Sequence, residues 1–282
     1  MKLIKAKDLT NKQYHEDKDC FSSSQFKLAK EDIEAFHKQY ILGEKQNVSN
    51  PAFDIGTYYH TAVLEPETLD AECAVFLGKM RRGKEWDAFK EEHEGKAIIT
   101  KSDYAKADRL IQSTLGNTIL QNLMEGGEAE LSCFTKVQGL DTKVRSDFID
   151  VDRGFIFDLK STTGNAKDYK SINKKIDDLD YDLSAALYID AFNTVLGKDV
   201  IKDFYWVVAT KDEEFANCQV YKATKKNLAV GRAKYMKAIE EIKRGYKNKW
   251  VFKDTIVNID PTPWAFDQWT PTNQPICDAD LL

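Results

Sequence analysis

The stretch from Lys143 to Lys160, KVRSDFIDVDRGFIFDLK, limits what this chain can fold into more than any other. Apolar and polar residues alternate on both sides of Asp152-Arg153-Gly154, the pattern of two antiparallel strands joined by a turn. In the first strand Val144 and Phe148 are assigned to one face, Arg145 and Asp147 to the other. In the second, Phe155, Phe157 and Leu159 point one way and Ile156, Asp158 and Lys160 the opposite way. Gly154 supplies a residue able to take positive φ in the turn. Phe155-Ile156-Phe157 is apolar on both faces, so this strand is expected at the centre of a sheet, covered from both sides. Pairing across the turn brings Asp147 towards Asp158, with Lys160 two residues further along the same face.

Two carboxylates and an ammonium in one small region are costly without compensation, and a hard divalent cation compensates them. Mg²⁺ or Mn²⁺ prefers carboxylate, carbonyl and water ligands, and a lysine beside such an ion orients or deprotonates a water. Metal-assisted hydrolysis of a phosphodiester fits this set. A lone Asp-x-Lys at a strand end is otherwise a solvated pair; the central, doubly covered strand separates Asp158-Leu159-Lys160 from that reading.

The pattern resembles the PD-(D/E)xK nuclease superfamily, and within it the phage and prophage exonuclease VIII-type double-strand DNA exonucleases. Asp147 followed by Asp158-Leu159-Lys160 matches the superfamily's acidic residue, gap and Asp/Glu-x-Lys. Glu130 in EAELSCF matches the upstream glutamate, His60 in DIGTYYHTAVLEPE the early-helix histidine, and Phe21-Ser22-Ser23-Ser24 the serines that open the first helix. The family's Gln-x-x-x-Tyr departs: Ser184-Ala185-Ala186-Leu187-Tyr188 keeps the tyrosine and puts serine at the glutamine position. The resemblance spans roughly Phe21 to Lys247.

It implies an α/β, restriction-endonuclease-like core with a central mixed sheet flanked by helices. It implies a metal held by Asp147, Asp158, the Leu159 carbonyl, His60 and Glu130, with Lys160 at the attacking water. On the residues alone His60 reads as a core histidine and Glu130 as a strand-edge glutamate; the resemblance makes each a candidate at the metal. The implied activity is 5′-to-3′ digestion of linear double-stranded DNA with Mg²⁺ (or Mn²⁺), leaving 3′ overhangs for phage-type homologous recombination by a single-strand annealing partner. A ring-shaped homo-oligomer, trimer or tetramer, is implied with it. The alternatives are another PD-(D/E)xK endonuclease, a helicase-associated nuclease, or a DNA-binding phage protein without catalysis.

Along the chain, Ser24 to Ile41 reads as a helix with Phe26, Ala29, Ile33, Phe36 and Tyr40 at helical spacing. Its N-terminus, with Ser23 and Ser24, suits a phosphate. A helix from near Phe53 to Leu64 carries His60, and close packing is the expected reason for Gly56 within it. Arg81 and Arg82, followed by Trp86 and Phe89, read either as a DNA-touching segment or as a solvated turn before a packing helix. Thr100 to Met124 is helical, opened by a Thr100–Asp103 capping box and interrupted at Gly116. Glu128 to Val137 is a strand leading into the hairpin. Ser161 and Thr162 lie in a polar loop suited to the DNA backbone, and Lys167 to Asp180 is expected to be flexible. The helix from Leu183 to Val195 carries Tyr188, which either faces the site or packs in the core.

Asp203–Thr210 and Cys218–Tyr221 are expected to extend the sheet. Thr224 to Lys247 is a long helix with Leu228, Tyr235, Ile239, Ile242 and Tyr246 inward and lysines outward. Residues 1–248 are thus read as one nuclease-type domain, and 249–282 as a tail rich in tryptophan and proline for packing or subunit contact.

A chain of 282 residues can bury a large core. Its sequence shows no apolar run that would span a membrane and no signal-peptide start, so a cytoplasmic protein is expected, in a bacterial host if phage-encoded. Five scattered cysteines without Cys-x-x-Cys fit reduced thiols and argue against zinc. The net charge of −5 runs against DNA binding unless the cations are gathered on one surface.

Overall fold

The computed structural model describes residues 1–44, 51–78, 80–253, 256 and 258–269. Met1–Trp250 forms one compact unit and Val251–Leu282 a second. In the first, β1 (Lys2–Ile4), β4 (Glu128–Val137), β5 (Leu140–Asp150), β6 (Phe155–Thr162), β7 (Asp203–Thr210) and β8 (Cys218–Lys222) form a six-stranded sheet in that order. The β6–β7 pairing is parallel and the others are antiparallel, so the sheet is mixed. Short strands β2 (Cys73–Phe76) and β3 (Ala97–Thr100) pair in parallel as a separate ribbon.

Helices cover both faces, giving three layers. On one face Phe26, Leu183, Leu187, Phe192, Tyr235 and Ile239 pack with Val144, Ile156, Phe204 and Trp206. On the other, Ile55, Tyr59, Val63, Ala107 and Leu110 pack with Phe148, Phe155, Phe157, Leu159 and Val207. Phe155, Ile156 and Phe157 are all buried, as expected of a central strand. Asp150 accepts the Arg153 amide across the hairpin turn, and Gly154 takes φ 74°.

Strands β4 and β5 carry a feature that alternation alone does not contain. Val144 and Phe148 have the same parity yet join opposite cores, as do Leu131 and Ala129 on the partner strand. The switch falls at Glu130, which sits inside β4 with φ 50°, opposite the Asp147 region of β5. A left-handed glutamate costs about 1–3 kcal/mol, and here it re-aims both strands. The expected single face for Val144 and Phe148 is therefore corrected.

Other expectations change for local reasons. The first helix breaks at Asp32, whose carboxylate caps a new turn through the Ala35 amide, so Ser23–Glu31 is followed by Ile33–Phe36. The segment expected to be flexible forms a helix, Tyr169–Asp178, capped by Asp168 and anchored by buried Ile172 and Ile176 one turn apart. The Thr100 capping box is present, and the helix it opens ends at Leu115, with Thr118–Leu123 following. Among the described residues a Cβ on Gly56 would meet nothing within 4 Å, so close packing with them does not explain that glycine. Tyr246 is half exposed rather than inward, its ring against Trp250. In the second unit, Pro263–Trp269 is helical.

Candidate active site

The site grows from the point where the hairpin opens. The β5–β6 ladder runs from Asp150↔Phe155 to Phe148↔Phe157 and stops there. The Phe148 and Phe157 rings stack at 4.7 Å and close it. Beyond them β5 turns towards β4 while β6 continues along β7, leaving a fork in the sheet. The Leu159 amide, facing this fork, donates to Asp147 Oδ2 at 2.6 Å. Asp147 thus replaces the missing strand partner with its own carboxylate.

His60 enters from the Pro51–Leu64 helix, with Nδ1 3.4 Å from Asp147 Oδ2. It also hydrogen-bonds the Leu159 backbone. The φ 50° backbone at Glu130 accompanies delivery of its carboxylate to the same place. One ligand atom each from His60, Glu130 and Asp147 lies within 4.8 Å of the others. Asp158 lies outside that trio: its carboxylate is ion-paired with Lys160 and hydrogen-bonded to Asp147.

The electrostatics follow from burial and incomplete pairing. Burial and the Lys160 charge push His60 down to about 4, so its imidazole is neutral near pH 7. Burial and the neighbouring Asp158 hold Asp147 well above the usual carboxylate range. Burial also lifts Asp158, but Lys160 outweighs it and leaves that carboxyl low, so the proton of the pair rests on Asp147. Burial pushes Glu130 up to about 7, against the Arg145 charge and with help from Glu65 and Asp158. Arg145 stands 4.0 Å from Glu130, but its guanidinium is spent on Ser132 Oγ and the Leu9 carbonyl. Burial disfavours the Lys160 charge, yet Asp158 and Asp147 outweigh it and hold Lys160 above its ordinary value.

Converging oxygen donors plus one neutral imidazole fit a hard divalent cation, and the raised Asp147 and Glu130 are the carboxyls whose negative charge such an ion would stabilise. His60, Glu130 and Asp147 would hold it, with Asp158 and the Leu159 backbone next to them.

The remaining sequence candidates divide. Tyr188 faces the site: its hydroxyl bonds Ser23, and burial together with nearby carboxylates raises it far above the usual tyrosine range. Ser24 Oγ lies 3.0 Å from Ser22 Oγ at the same helix start. Ser161 and Thr162, expected in a loop, instead end strand β6 because their backbone pairs with Ala209 and Thr210; Thr162 is buried and hydrogen-bonded to the Lys175 amine, with Ser161 beside it on the same cavity wall. Arg81 does not face a phosphate. Its guanidinium binds Asp54 (2.9 Å), Asp103 (3.2 Å) and the Ile98 carbonyl, and lies over Trp86. Trp86 is buried against Phe76 and cannot stack on a base, while Arg82 is exposed.

Three residues escaped the sequence reading. Tyr181 places its ring 5.0 Å from Lys160 Nζ, and it lies seven residues before Tyr188 on the same helix face. Lys27, one turn after Ser23, donates to the Leu179 carbonyl, and burial plus the Lys160 charge lower it to about 8. Glu65, in the Leu-Glu-Pro that follows the His60 helix, acts electrostatically on Glu130.

Among solved structures, the crystal structure of a putative exonuclease from Eubacterium rectale superposes with a TM-score of 0.63 at 18% identity, over 97% of each chain. That likeness is one of fold. The crystal structure of SSO0001 aligns at a TM-score of 0.30 and 12% identity, covering 71% of this chain and 88% of that chain, too distant to argue from. No curated protein matches the chain. Among the described residues no helix is long and apolar enough to cross a membrane. The family described as PDDEXK-like domain of unknown function (DUF3799) matches residues 22–250. With the mixed sheet, the open fork and Asp147, Asp158 and Lys160 gathered in it, the chain belongs to this PD-(D/E)xK-type nuclease family.

Proposed function

We propose that this protein is a metal-dependent 5′-to-3′ exonuclease on linear double-stranded DNA, leaving 3′ single-stranded overhangs for recombination. The observation that carries the reading is the convergence of His60, Glu130 and Asp147 at the fork, beside the Asp158–Lys160 pair. The putative exonuclease of the same fold supports end-directed digestion. Bound Mg²⁺ or Mn²⁺ would supply Lewis-acid stabilisation of the charge developing on the phosphoryl oxygens.

The chain's own groups do the rest. Lys160 is held charged by Asp158 and Asp147, so it orients the attacking water and donates to the phosphoryl group rather than acting as a base. Neutral His60 offers a ring lone pair, and Asp147 and Glu130 must lose their protons to bind the ion. Ser23, Ser24, Ser161, Thr162, Arg82 and Tyr188 are the proposed DNA contacts; Arg81 is withdrawn from that set by its three internal partners. A ring-shaped homo-oligomer and an annealing partner belong to the same reading, with residues 249–282 as a segment for subunit contact.

The test is digestion of end-labelled linear duplex with Mg²⁺, beside closed circular duplex and an EDTA control. Release of label from the 5′ end of the linear form, with the circle intact, is expected. Cleavage of the circle would make the protein an endonuclease, and intact DNA in every form would end the reading. Light scattering on the purified protein checks the ring.

A further inference from the structure

A cavity of about 370 Å³ opens beside Lys160, past the carboxyl ends of parallel strands β6 and β7. Ligands of open α/β sheets collect at strand ends of this kind, and pockets for small organic molecules begin near ~300 Å³. Its walls differ in character. Ile172, Ile176, Leu179 and Val208 form an apolar floor, with the Tyr181 ring between floor and catalytic fork. Lys160, Lys175 and Lys211 bring three amines to the rim.

Those amines are unevenly served. Lys160 has Asp158. Among the described residues Lys175 donates to neutral oxygens, Thr162 Oγ1 and the Thr163 carbonyl at 3.0 Å. Lys211 makes no ion pair among the described residues. Burial and the charges of Lys106 and Lys175 together depress it. Asp178, the carboxylate on the wall, is taken by Lys174. An anion is therefore favoured at Lys175 and Lys211, and a flat apolar body at the floor.

We propose that this cavity binds one nucleotide, a deoxynucleoside 5′-monophosphate, with its base on Ile172, Ile176, Leu179 and Val208 and its phosphate on Lys175 and Lys211. This rests on the exonuclease reading above: water adds at phosphorus, the P–O3′ bond breaks, and the 3′ oxygen leaves with a proton as a hydroxyl. The cut end nucleotide, its 5′ phosphate already in place, is then such a monophosphate, and a pocket that holds it beside Lys160 would set the step at single nucleotides.

The test uses the full chain in EDTA, so that binding is separated from cleavage. Thymidine monophosphate, thymidine and inorganic phosphate are titrated by calorimetry or ligand-observed NMR. The monophosphate should bind more tightly than either fragment. Lys175→Ala with Lys211→Ala should weaken it about tenfold or more while leaving thymidine little changed. Leu179→Ser should weaken both nucleotide and nucleoside. Thermal melting reports whether the double variant folds, and single Lys211→Gln replaces it if it does not. No monophosphate binding, equal binding of phosphate alone, or indifference to the lysine substitutions would overturn the pocket. Protein that binds the monophosphate but leaves linear duplex intact would keep the pocket and refute the exonuclease. Protein that digests linear duplex without binding the monophosphate would do the reverse.

Discussion

Two acidic clusters in this molecule, each built around buried carboxylates, look alike in composition and differ in pairing. At the start of the Tyr181–Leu196 helix, Asp177, Asp180 and Asp182 meet Lys30 and Lys234 at 2.8–3.0 Å. Burial opposes the Asp180 charge, yet hydrogen bonds from both lysines keep that carboxyl below its ordinary value. At the fork, Glu130, Asp147 and Asp158 meet Lys160, a neutral His60 and an Arg145 that is occupied elsewhere. There Asp147 and Glu130 are pushed up. In the first cluster every carboxylate has a lysine partner, and the network ties four helices together; Gly231 sits so close that a Cβ would lie 2.0 Å from the Asp182 carbonyl. In the second, Lys160 is paired with Asp158 and Arg145 comes no nearer than 4.0 Å to Glu130. The difference separates a structural ion network from a candidate metal site, although the two share residue types.

The strongest break of the comparison is Lys160→Ala. Cleavage should fall by about 10²–10⁴-fold with the fold retained by circular dichroism, and unchanged turnover would refute the role of Lys160. In the lysine-paired cluster, Lys234→Ala should instead cost about 2–3 kcal/mol in urea unfolding, because it strands Asp182 and leaves Asp180 to Lys30 alone. Metal binding should survive that change.

Asp147→Asn should move stability the other way. Without metal it relieves buried repulsion and should gain about 1 kcal/mol, while the melting-temperature rise caused by Mn²⁺ disappears. A loss of metal-free stability would mean that Asp147 is already satisfied.

Glu130 at the fork and Asp180 in the other cluster should also respond oppositely to pH, while burial raises Asp182 and gives it the sign of Glu130. Glu130 rises from an ordinary 4.5 to about 7 on folding. The folded protein therefore holds extra protons in that window, and the stability from this group, present below pH 4.5, is lost as pH rises to 7. Asp180 is lowered, so its contribution is present above the ordinary carboxylate range and lost as pH falls through the depressed value. Thermal melts in EDTA should show the first trend between pH 5 and 7 as a fall on the order of a few kcal/mol at most, and added Mn²⁺ should erase it. The smallest effect is Gly56→Ala, expected to add about 0.5–1 kcal/mol because no neighbour among the described residues opposes the methyl group. If that variant also loses DNA affinity, open helix surface one turn before His60 is a place where DNA comes close.

What was legible followed from local rules. Alternation marked β5 and β6, a triply apolar run marked β6 as central, and Asp152-Arg153-Gly154 marked the turn, though not the Asp150 carboxylate that holds it. The Thr100 capping box could be read because its partners are three residues apart. Ile172 and Ile176 were just as legible, one helical turn apart after a capping Asp168, but the surrounding charges obscured them. The occupation of Arg81 was not legible, since Asp54 and Asp103 lie 27 and 22 residues away and their approach depends on three separate elements.

The amino-acid order by itself determined the strand that carries Asp158, Leu159 and Lys160, and the turn that returns it to Asp147, because these rest on near-neighbour sterics and burial period. Only the tertiary structure decided that β5 leaves β6 at Phe148, that Glu130 takes φ 50°, and that His60, Tyr181 and Lys27 arrive at the fork from both layers. Those outcomes depend on how two cores pack against one twisted sheet, a balance of contacts between residues far apart in the chain that no local pattern records.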